Sequence, residues 1–232
     1  MIYQNKNFEY TDAEVYDRRA DSSVLERYVL GLWQPFLKNK ISKISVDKTV
    51  IDWGCGTGEY ALTAGKAKKI YCIDISDIML KKAKEKLKDF FQVEFINSSG
   101  FNHEIPSGVG EVILTIGVWE YVDPIKLIEE IKRLIKKDGQ ILVIFPNIYN
   151  DLNLVRSLFK TGRVALRPGF IKKLFKADFE LLESASFGMV SWVPKKLQIL
   201  ALPVWKFCDW LWRPFQKMIP LGVNVYYLFE RK

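Results

Sequence analysis

The stretch Val50-Ile51-Asp52-Trp53-Gly54-Cys55-Gly56-Thr57-Gly58 decides the fold. A β-branched run from Lys48 to Trp53 feeds a loop in which every second residue is glycine. Glycine serves where the main chain turns with positive φ or where a ligand lies against it. A helix predicted from the loop to Lys66 turns unpaired amides and the positive end of its dipole toward that loop. Sixteen residues beyond Gly58 stands Asp74, near the end of a second predicted strand, Lys69 to Ile75. A carboxylate there can accept both hydroxyls of a ribose. A glycine loop alone is an ordinary tight turn, but strand, loop, helix, strand and terminal acid together point to a nucleoside site.

The spacing separates two classes of nucleoside ligand. Dinucleotide sites use G-x-G-x-x-G. Here Gly54, Gly56 and Gly58 make G-x-G-x-G, and Glu59 takes the sixth position. Asp52, just before the loop, adds an acid able to hold a cationic group directly or through water. Both features disfavour NAD.

Outward from this unit, short apolar runs alternate with segments of helical period, which reads as α/β with a parallel sheet. Ser76 is placed to cap a helix whose stripe is Met79, Leu80, Ala83 and Leu87. Strands are predicted at Gln92–Ile96 and Glu111–Gly117. Asp123-Pro124 opens a helix with the stripe Leu127, Ile128, Ile131, Leu134 and Ile135, with Lys136 and Lys137 at its end and Gly139 as its stop. Further strands are predicted at Gln140–Phe145, Glu180–Val190 and Val223–Phe229. Upstream, Ala13–Leu37 reads as one or two helices disturbed by Gly31 and Pro35.

The motifs resemble those of class I S-adenosylmethionine-dependent methyltransferases. The resemblance rests on Val50–Gly58; on Ile73-Asp74-Ile75-Ser76 followed by Ile78-Met79-Leu80; on Gly110–Leu114 leading to Trp119-Glu120-Tyr121-Val122; and on Leu134–Gln140. It implies a Rossmann-like, doubly wound, seven-stranded and mostly parallel sheet, with helices on both faces and an antiparallel last strand. It also implies S-adenosyl-L-methionine as cofactor. Gly54, Gly56 and Gly58 would carry its methionine part, with Asp52 near the amino group. Asp74 would hold the ribose and Ile75 flank the adenine. Ser99, Gly100 and Phe101 would border the adenine edge, and Ile116 would line the pocket. Residues 1–46 would form a helical segment covering the cofactor, and 47–232 the methyltransferase domain, with a basic and aromatic acceptor-side insertion at about 150–220.

Two departures stand out. Many relatives carry an acid near position 99, where this chain has Asn97-Ser98-Ser99, and many carry histidine where it has Tyr121. The implied reaction is in-line displacement of a methyl group from a sulfonium, in which alignment of the acceptor does most of the work. A hydroxyl acceptor also needs a base within hydrogen-bond reach. The sequence offers Tyr121, Glu120, Asp123 and His103 for that role. Trp119 and Tyr121 read as walls of a pocket.

Composition narrows the partners. The chain has 232 residues, 49% hydrophobic and 27% charged, with net charge +8. That excludes a disordered chain and favours anionic partners. Cys55, Cys72, Cys208 and the single His103 form no zinc-ligand spacing, so no metal is expected. The cysteine pattern, the polar Met1–Asn7 and the lack of a long apolar run suggest a cytoplasmic protein. The acceptor expected is a small molecule or a lipid-linked one. Gly222–Tyr227 resembles the corresponding stretch of quinone-precursor O-methyltransferases and of methyltransferases from bacterial glycan and lipid pathways.

Between Pro194 and Ile219 an aromatic helix is predicted, kinked at Pro203 and Pro214. Its stripe is Leu197, Leu200, Ala201, Val204, Trp205, Cys208, Leu211, Trp212 and Phe215. The simplest reading packs this stripe on the domain. A sharper one uses residues 160–218 as a peripheral contact with an anionic membrane surface at the inner face, aided by Lys160, Arg163, Arg167, Lys172, Lys173 and Lys176. A nucleic-acid methyltransferase is the alternative enzyme, disfavoured because Ile116-Gly117-Val118-Trp119 lacks the Asp/Asn-Pro-Pro-aromatic turn of base-amino methyltransferases. A non-catalytic membrane-surface or partner-binding protein of the same fold is the third reading. The oligomeric state is not legible in the sequence.

Overall fold

The computed structural model describes residues 13–101, 103–158 and 165–232. Met1–Asn7, Lys160 and Arg163, used above, lie outside them. A seven-stranded sheet runs through the molecule in the order β3-β2-β1-β4-β5-β7-β6. Its strands are β1 (Thr49–Trp53), β2 (Lys69–Asp74), β3 (Val93–Asn97), β4 (Gly110–Ile116), β5 (Ile135–Pro146), β6 (Phe179–Phe187) and β7 (Asn224–Arg231). All neighbours pair in parallel except β7, which is antiparallel to both β5 and β6. The doubly wound, seven-stranded sheet expected from the motifs is therefore present, antiparallel strand included. The apolar core divides into one cluster on each face of the sheet. One contains Leu37, Ile41 and Ala61, and the other Trp119, Ile131 and Phe175.

The helices are α1 (Ala13–Asp17), α2 (Val24–Ile44), α3 (Glu59–Thr63), α4 (Asp77–Lys86), α5 (Pro124–Leu134), α6 (Asp151–Leu158), α7 (Pro168–Phe175) and α8 (Gln198–Trp212). Ser76 and Asp123 cap α4 and α5 as expected, accepting from the amides of Met79 and Ile125. Helix α2 is one unbroken helix of 21 residues despite Gly31 and Pro35. Leu25, Val29, Leu30, Trp33, Leu37 and Ile41 are all buried along it. Each contributes about 1.5–3 kcal/mol, so together they exceed the roughly 3 kcal/mol cost of an interior proline.

Three local expectations need correction. The helix after the glycine loop stops at Thr63 rather than Lys66, because the chain turns at Gly65, where an added Cβ would meet the Phe90 ring at 2.6 Å. Helix α5 ends at Leu134, not at Gly139. Ile135 is already extended and pairs with Gly110, and Lys136 reaches Glu111 at 3.4 Å instead of capping the helix. Helix α8 uses only part of its apolar surface for packing. Gln198, Ala201, Leu202, Trp205, Cys208, Asp209 and Trp212 face the domain, at the i, i+3, i+4, i+7 spacing of a single seat. Leu197, Leu200, Val204, Leu211 and Phe215, expected in the packed stripe, are exposed instead. The seat is narrow. Trp205 stacks on Tyr28 of α2 at 6.3 Å, and Gln198 Oε1 accepts from the Leu25 amide at 3.1 Å. Cys208 is half-buried rather than core. Pro203 lies inside α8, and Pro214 falls just beyond its end.

Candidate functional site

Strand β1 leads outward to β2 and β3, and the chain then returns to β4 on β1's other side. In open α/β sheets the crevice at such a reversal, outside the carboxyl ends of the strands, is where ligands bind. The glycine loop follows β1 at this edge. The amides of Gly54 and Cys55 both donate to the Ile73 carbonyl, at 2.8 and 3.0 Å, which ties the loop to the end of β2.

The three loop glycines all have positive φ, at 72°, 53° and 78°, but for different reasons. A Cβ on Gly54 would stand 2.6 Å from Val118 in the turn after β4. A Cβ on Gly58 would stand 2.9 Å from Leu87 and 3.2 Å from Ala83. Those two positions are closed by packing. At Gly56 the nearest atom would be the Tyr16 ring at 3.7 Å, an ordinary contact. Gly56 supplies instead its left-handed backbone and an N–H, which donates to Asp74 Oδ2 at 2.8 Å.

Asp74 faces the loop, as the motif requires. Its Oδ1 accepts from the Ser76 amide at 2.9 Å. A carboxylate offers about four acceptor positions, so both oxygens keep capacity for a further donor. Burial raises its pKa, against the lowering effect of the Ser76 and Gly56 amides. Ile75, next in the chain, is 64% exposed at the strand's end.

Asp52 is the buried acid of the site, at 1% exposure. Burial first, and the Asp74 charge second, push its pKa up to about 7, opposed by the Ala61 amide. Its Oδ2 has no hydrogen-bond partner among the described residues. A buried carboxylate so placed is costly as an isolated anion and is suited by a nearby cationic donor. Cys55, between the acid and Gly56, is inert by comparison. Its interaction with Cys72, and then burial, hold its thiol well above the ordinary range.

A cavity of about 240 Å³ opens above the loop, lined among others by Tyr16, Arg19, Leu30, Gln34, Tyr60 and Ile116. Of the residues predicted from sequence, Gly54 and Ile116 stand on its wall. Tyr16, Asp17, Arg19 and Ala20, in α1 and the turn after it, form its roof. Asp17 accepts from the Thr57 hydroxyl and pairs with Lys86 of α4 at 3.2 Å, and Lys86 also reaches Glu59 at 3.5 Å. Arg19 lies over the Tyr16 ring at 4.2 Å. These roof residues were not singled out in the sequence. They lie in a mixed polar stretch with no motif, and only a helical period marks it.

The remaining predicted residues divide. Ser99 is exposed after β3. Gly100 and Phe101 turn to Trp53: Phe101 packs edge-on at 5.6 Å, and Gly100 leaves room for the indole. Glu120 and Tyr121 sit in the turn after β4, with Glu120 buried and Tyr121 half-buried. Trp119 is no pocket wall. It is fully buried, donates from Nε1 to Thr115 Oγ1 at 2.9 Å and packs on Phe175 at 5.7 Å. His103 lies off the cavity, buried beside Trp53, with Nε2 3.4 Å from Glu130 and its pKa lowered by burial. Asp123 is used as the cap of α5. We expect Asp123→Ala to cost about 1 kcal/mol in chemical denaturation and to leave ligand binding at the loop unchanged by calorimetry. Among the described residues no group of three or more His, Cys, Asp or Glu could hold a metal.

Residues 51–143 match a family model described as a methyltransferase domain. An uncharacterized protein of Methanocaldococcus jannaschii is 25% identical over 75% of this chain and 72% of its own. The demethylmenaquinone methyltransferase of Bacillus licheniformis is 27% identical over 41% of this chain; the match spans 44% of that enzyme, less than half its length. Among solved structures, the partner of the Haloferax volcanii Trm112 methyltransferase activator, seen in their complex, superposes with a TM-score of 0.66 at 16% identity, over 97% and 99% of the two chains. The N-methyltransferase NodS of Bradyrhizobium japonicum, in complex with S-adenosyl-L-homocysteine, superposes with a TM-score of 0.61 at 12% identity, over 92% and 90%.

Proposed function

Since this chain carries a class I S-adenosylmethionine-dependent methyltransferase domain, we propose that it moves the cofactor's methyl group to a small-molecule or lipid-linked acceptor admitted beside the glycine loop. When bound, S-adenosylmethionine supplies an electrophilic methyl group on a sulfonium. The chain's own task is then to hold the cofactor, align the acceptor and exclude water.

Gly54, Gly56 and Gly58 would bear the methionine part. Asp52 would stabilise its ammonium, directly or through water, and Asp74 would accept from the ribose hydroxyls. Ile75 would flank the adenine beside Ser99, Gly100 and Phe101. The observation that carries the assignment is the buried Asp52 carboxylate, whose Oδ2 has no partner among the described residues, at the root of a loop whose Gly56 amide is held by Asp74. The roof residues Tyr16 and Arg19 would close over the cofactor. Leu30, Tyr60 and Ile116 give the cavity an apolar side, which supports an apolar acceptor. The quinone-pathway name of one relative supports it as well. Glu120 and Tyr121, in the turn after β4, are the groups we propose to test as proton acceptors.

Asp74→Ala should weaken S-adenosylmethionine binding ten-fold or more in calorimetric titration, since charge-assisted bonds contribute about 1.5–3 kcal/mol. Near-wild-type affinity would overturn the ribose assignment. For the acceptor, the chain is incubated with methyl-labelled cofactor and either demethylated quinone precursors, total lipid extract or nucleic acid. Label in the organic phase supports this reading. Label in nucleic acid alone sinks it.

A further inference from the structure

We propose that the outward face of α8 is a docking surface for an anionic lipid bilayer, which the helix meets lying in the interfacial plane. Leu200, Val204, Phe207 and Leu211 follow one line at i, i+4, i+7 and i+11, and each is between 51% and 75% exposed. Ile199 and Trp210 flank that line at 70% and 65%. The turn that follows continues it with Phe215, Met218 and Ile219, and Trp192 precedes it. Soluble monomers rarely leave so contiguous an apolar surface in water. Among the described residues no helix is long and apolar enough to cross a membrane, so this surface can lie on a bilayer but not span it.

Charge selects the occupant. Between Gly188 and Gly222 there are five cations, Lys195, Lys196, Lys206, Arg213 and Lys217, and one acid, Asp209. All five cations are exposed. Asp209 is turned inward, where it accepts from the Tyr28 hydroxyl at 2.5 Å and the Met189 amide at 2.6 Å. The outward face of α8 is thus apolar, with Lys206 on the helix, Lys195 and Lys196 before it, Arg213 and Lys217 after it, and no exposed acid in the segment. Elsewhere Lys38, Lys40, Lys86 and Lys132 are engaged by carboxylates. None of the five cations is so engaged among the described residues. In a symmetric dimer built on this face, the same cations would face each other across the axis. Anionic headgroups complement them, and tryptophans suit the headgroup depth.

The location also fits. The segment leaves the carboxyl end of β6 and returns at the start of the antiparallel β7, so it rises from the same edge of the sheet as the glycine loop. It packs on the first turns of α2, whose Leu30 and Gln34 line the cavity. The inference stands on this geometry whether or not the acceptor is lipid-linked.

The test is co-sedimentation of the full chain with vesicles of phosphatidylcholine alone, or of phosphatidylcholine with phosphatidylglycerol, at roughly 0.1 M and 0.5 M salt. Binding is expected to the anionic vesicles and to weaken at the higher salt. Phe207→Glu with Leu200→Glu should reduce it ten-fold or more, and so should Lys206→Glu with Arg213→Glu. Both pairs are exposed, so each variant should keep the wild-type thermal melt. Equal binding to neutral and anionic vesicles, or none to either, overturns the proposal. So does a lipid-free dimer that the Phe207→Glu, Leu200→Glu variant dissolves, since the face would then belong to a second copy.

Discussion

Asp52→Asn is expected to weaken S-adenosylmethionine binding about a hundred-fold at pH 8 and to flatten most of the fall in affinity expected of the wild-type chain from pH 7.5 to 5.5, leaving only the share of Asp74, whose pKa burial also raises. The Asp52 carboxyl has its pKa pushed up to about 7 by burial and by the Asp74 charge. Below that pH it is mostly neutral, and a cationic ligand bound beside it must drive off the proton. Wild-type affinity should therefore fall by up to ten-fold per pH unit below about 7. At the upper end the cofactor's own amino group limits the effect, because an α-amino group loses its proton near pH 7.7–8.0. The neighbouring titratable groups are Asp74, Tyr60 and Cys55. Burial keeps the tyrosine neutral through this range, and the interaction with Cys72, then burial, does the same for the thiol. Calorimetry from pH 5.5 to 8.5 reads both effects. Equal wild-type affinity at pH 5.5 and 7.5 would show that Asp52 takes no part.

The ligand-free chain should respond in the opposite direction. A carboxyl whose pKa is raised on folding binds more protons in the native state between about pH 4 and pH 7. Its contribution to stability therefore falls as pH rises through that window. Asp52→Asn should stabilise the ligand-free protein by about 2–4 kcal/mol at pH 8. The gain should vanish below pH 4, where a protonated acid and an amide are equivalent. A variant that is more stable yet binds less is the signature of a group placed for a ligand rather than for the fold.

The glycine loop and Asp74 were legible because their chemistry is local: positive φ, a short strand and a fixed chain distance leave marks in the sequence. The caps at Ser76 and Asp123 were legible for the same reason. The roof was not. Tyr16, Asp17 and Arg19 reach the loop only through tertiary contacts with Thr57 and Lys86, far along the chain, and no spacing encodes these. The ends of α3 and α5 were misplaced because strand pairing and a tight approach at Gly65 overrode helical period. On α8 the period identified the helix correctly. It could not tell which apolar side chains would find a seat, since a helix apolar nearly all round has more such surface than α2 can cover. Trp119 was misread because its place follows from Thr115 and Phe175, which only the fold brings to it.

Gly100→Ala is expected to destabilise the chain by about 3 kcal/mol or more, from two independent causes. The backbone at Gly100 has φ of 89°, where an L side chain is strained by about 1–3 kcal/mol. An added Cβ would also overlap the Trp53 indole, and such overpacking costs about 1–3 kcal/mol. The indole cannot easily move. Trp53 is 2% exposed and is hemmed by Phe101 and His103. Nor can the backbone, because the Gly100 amide donates to Ser98 Oγ at 3.1 Å and the Ser98 amide to the Asp74 carbonyl at 3.0 Å. For a chain of this size the loss corresponds to a fall in Tm of roughly 6–12 °C. Trp53→Leu separates the two causes. In that background the overlap is relieved and only the backbone strain remains, so the alanine should cost at least 1 kcal/mol less than in the wild type. An additive double-mutant cycle would mean that the indole does not set the requirement for glycine. The Ser98 link also ties this turn to Asp74, so the alanine variant should bind S-adenosylmethionine more weakly even well below its melting temperature. A destabilised variant with unchanged affinity would separate the Trp53 packing from the adenine side of the site.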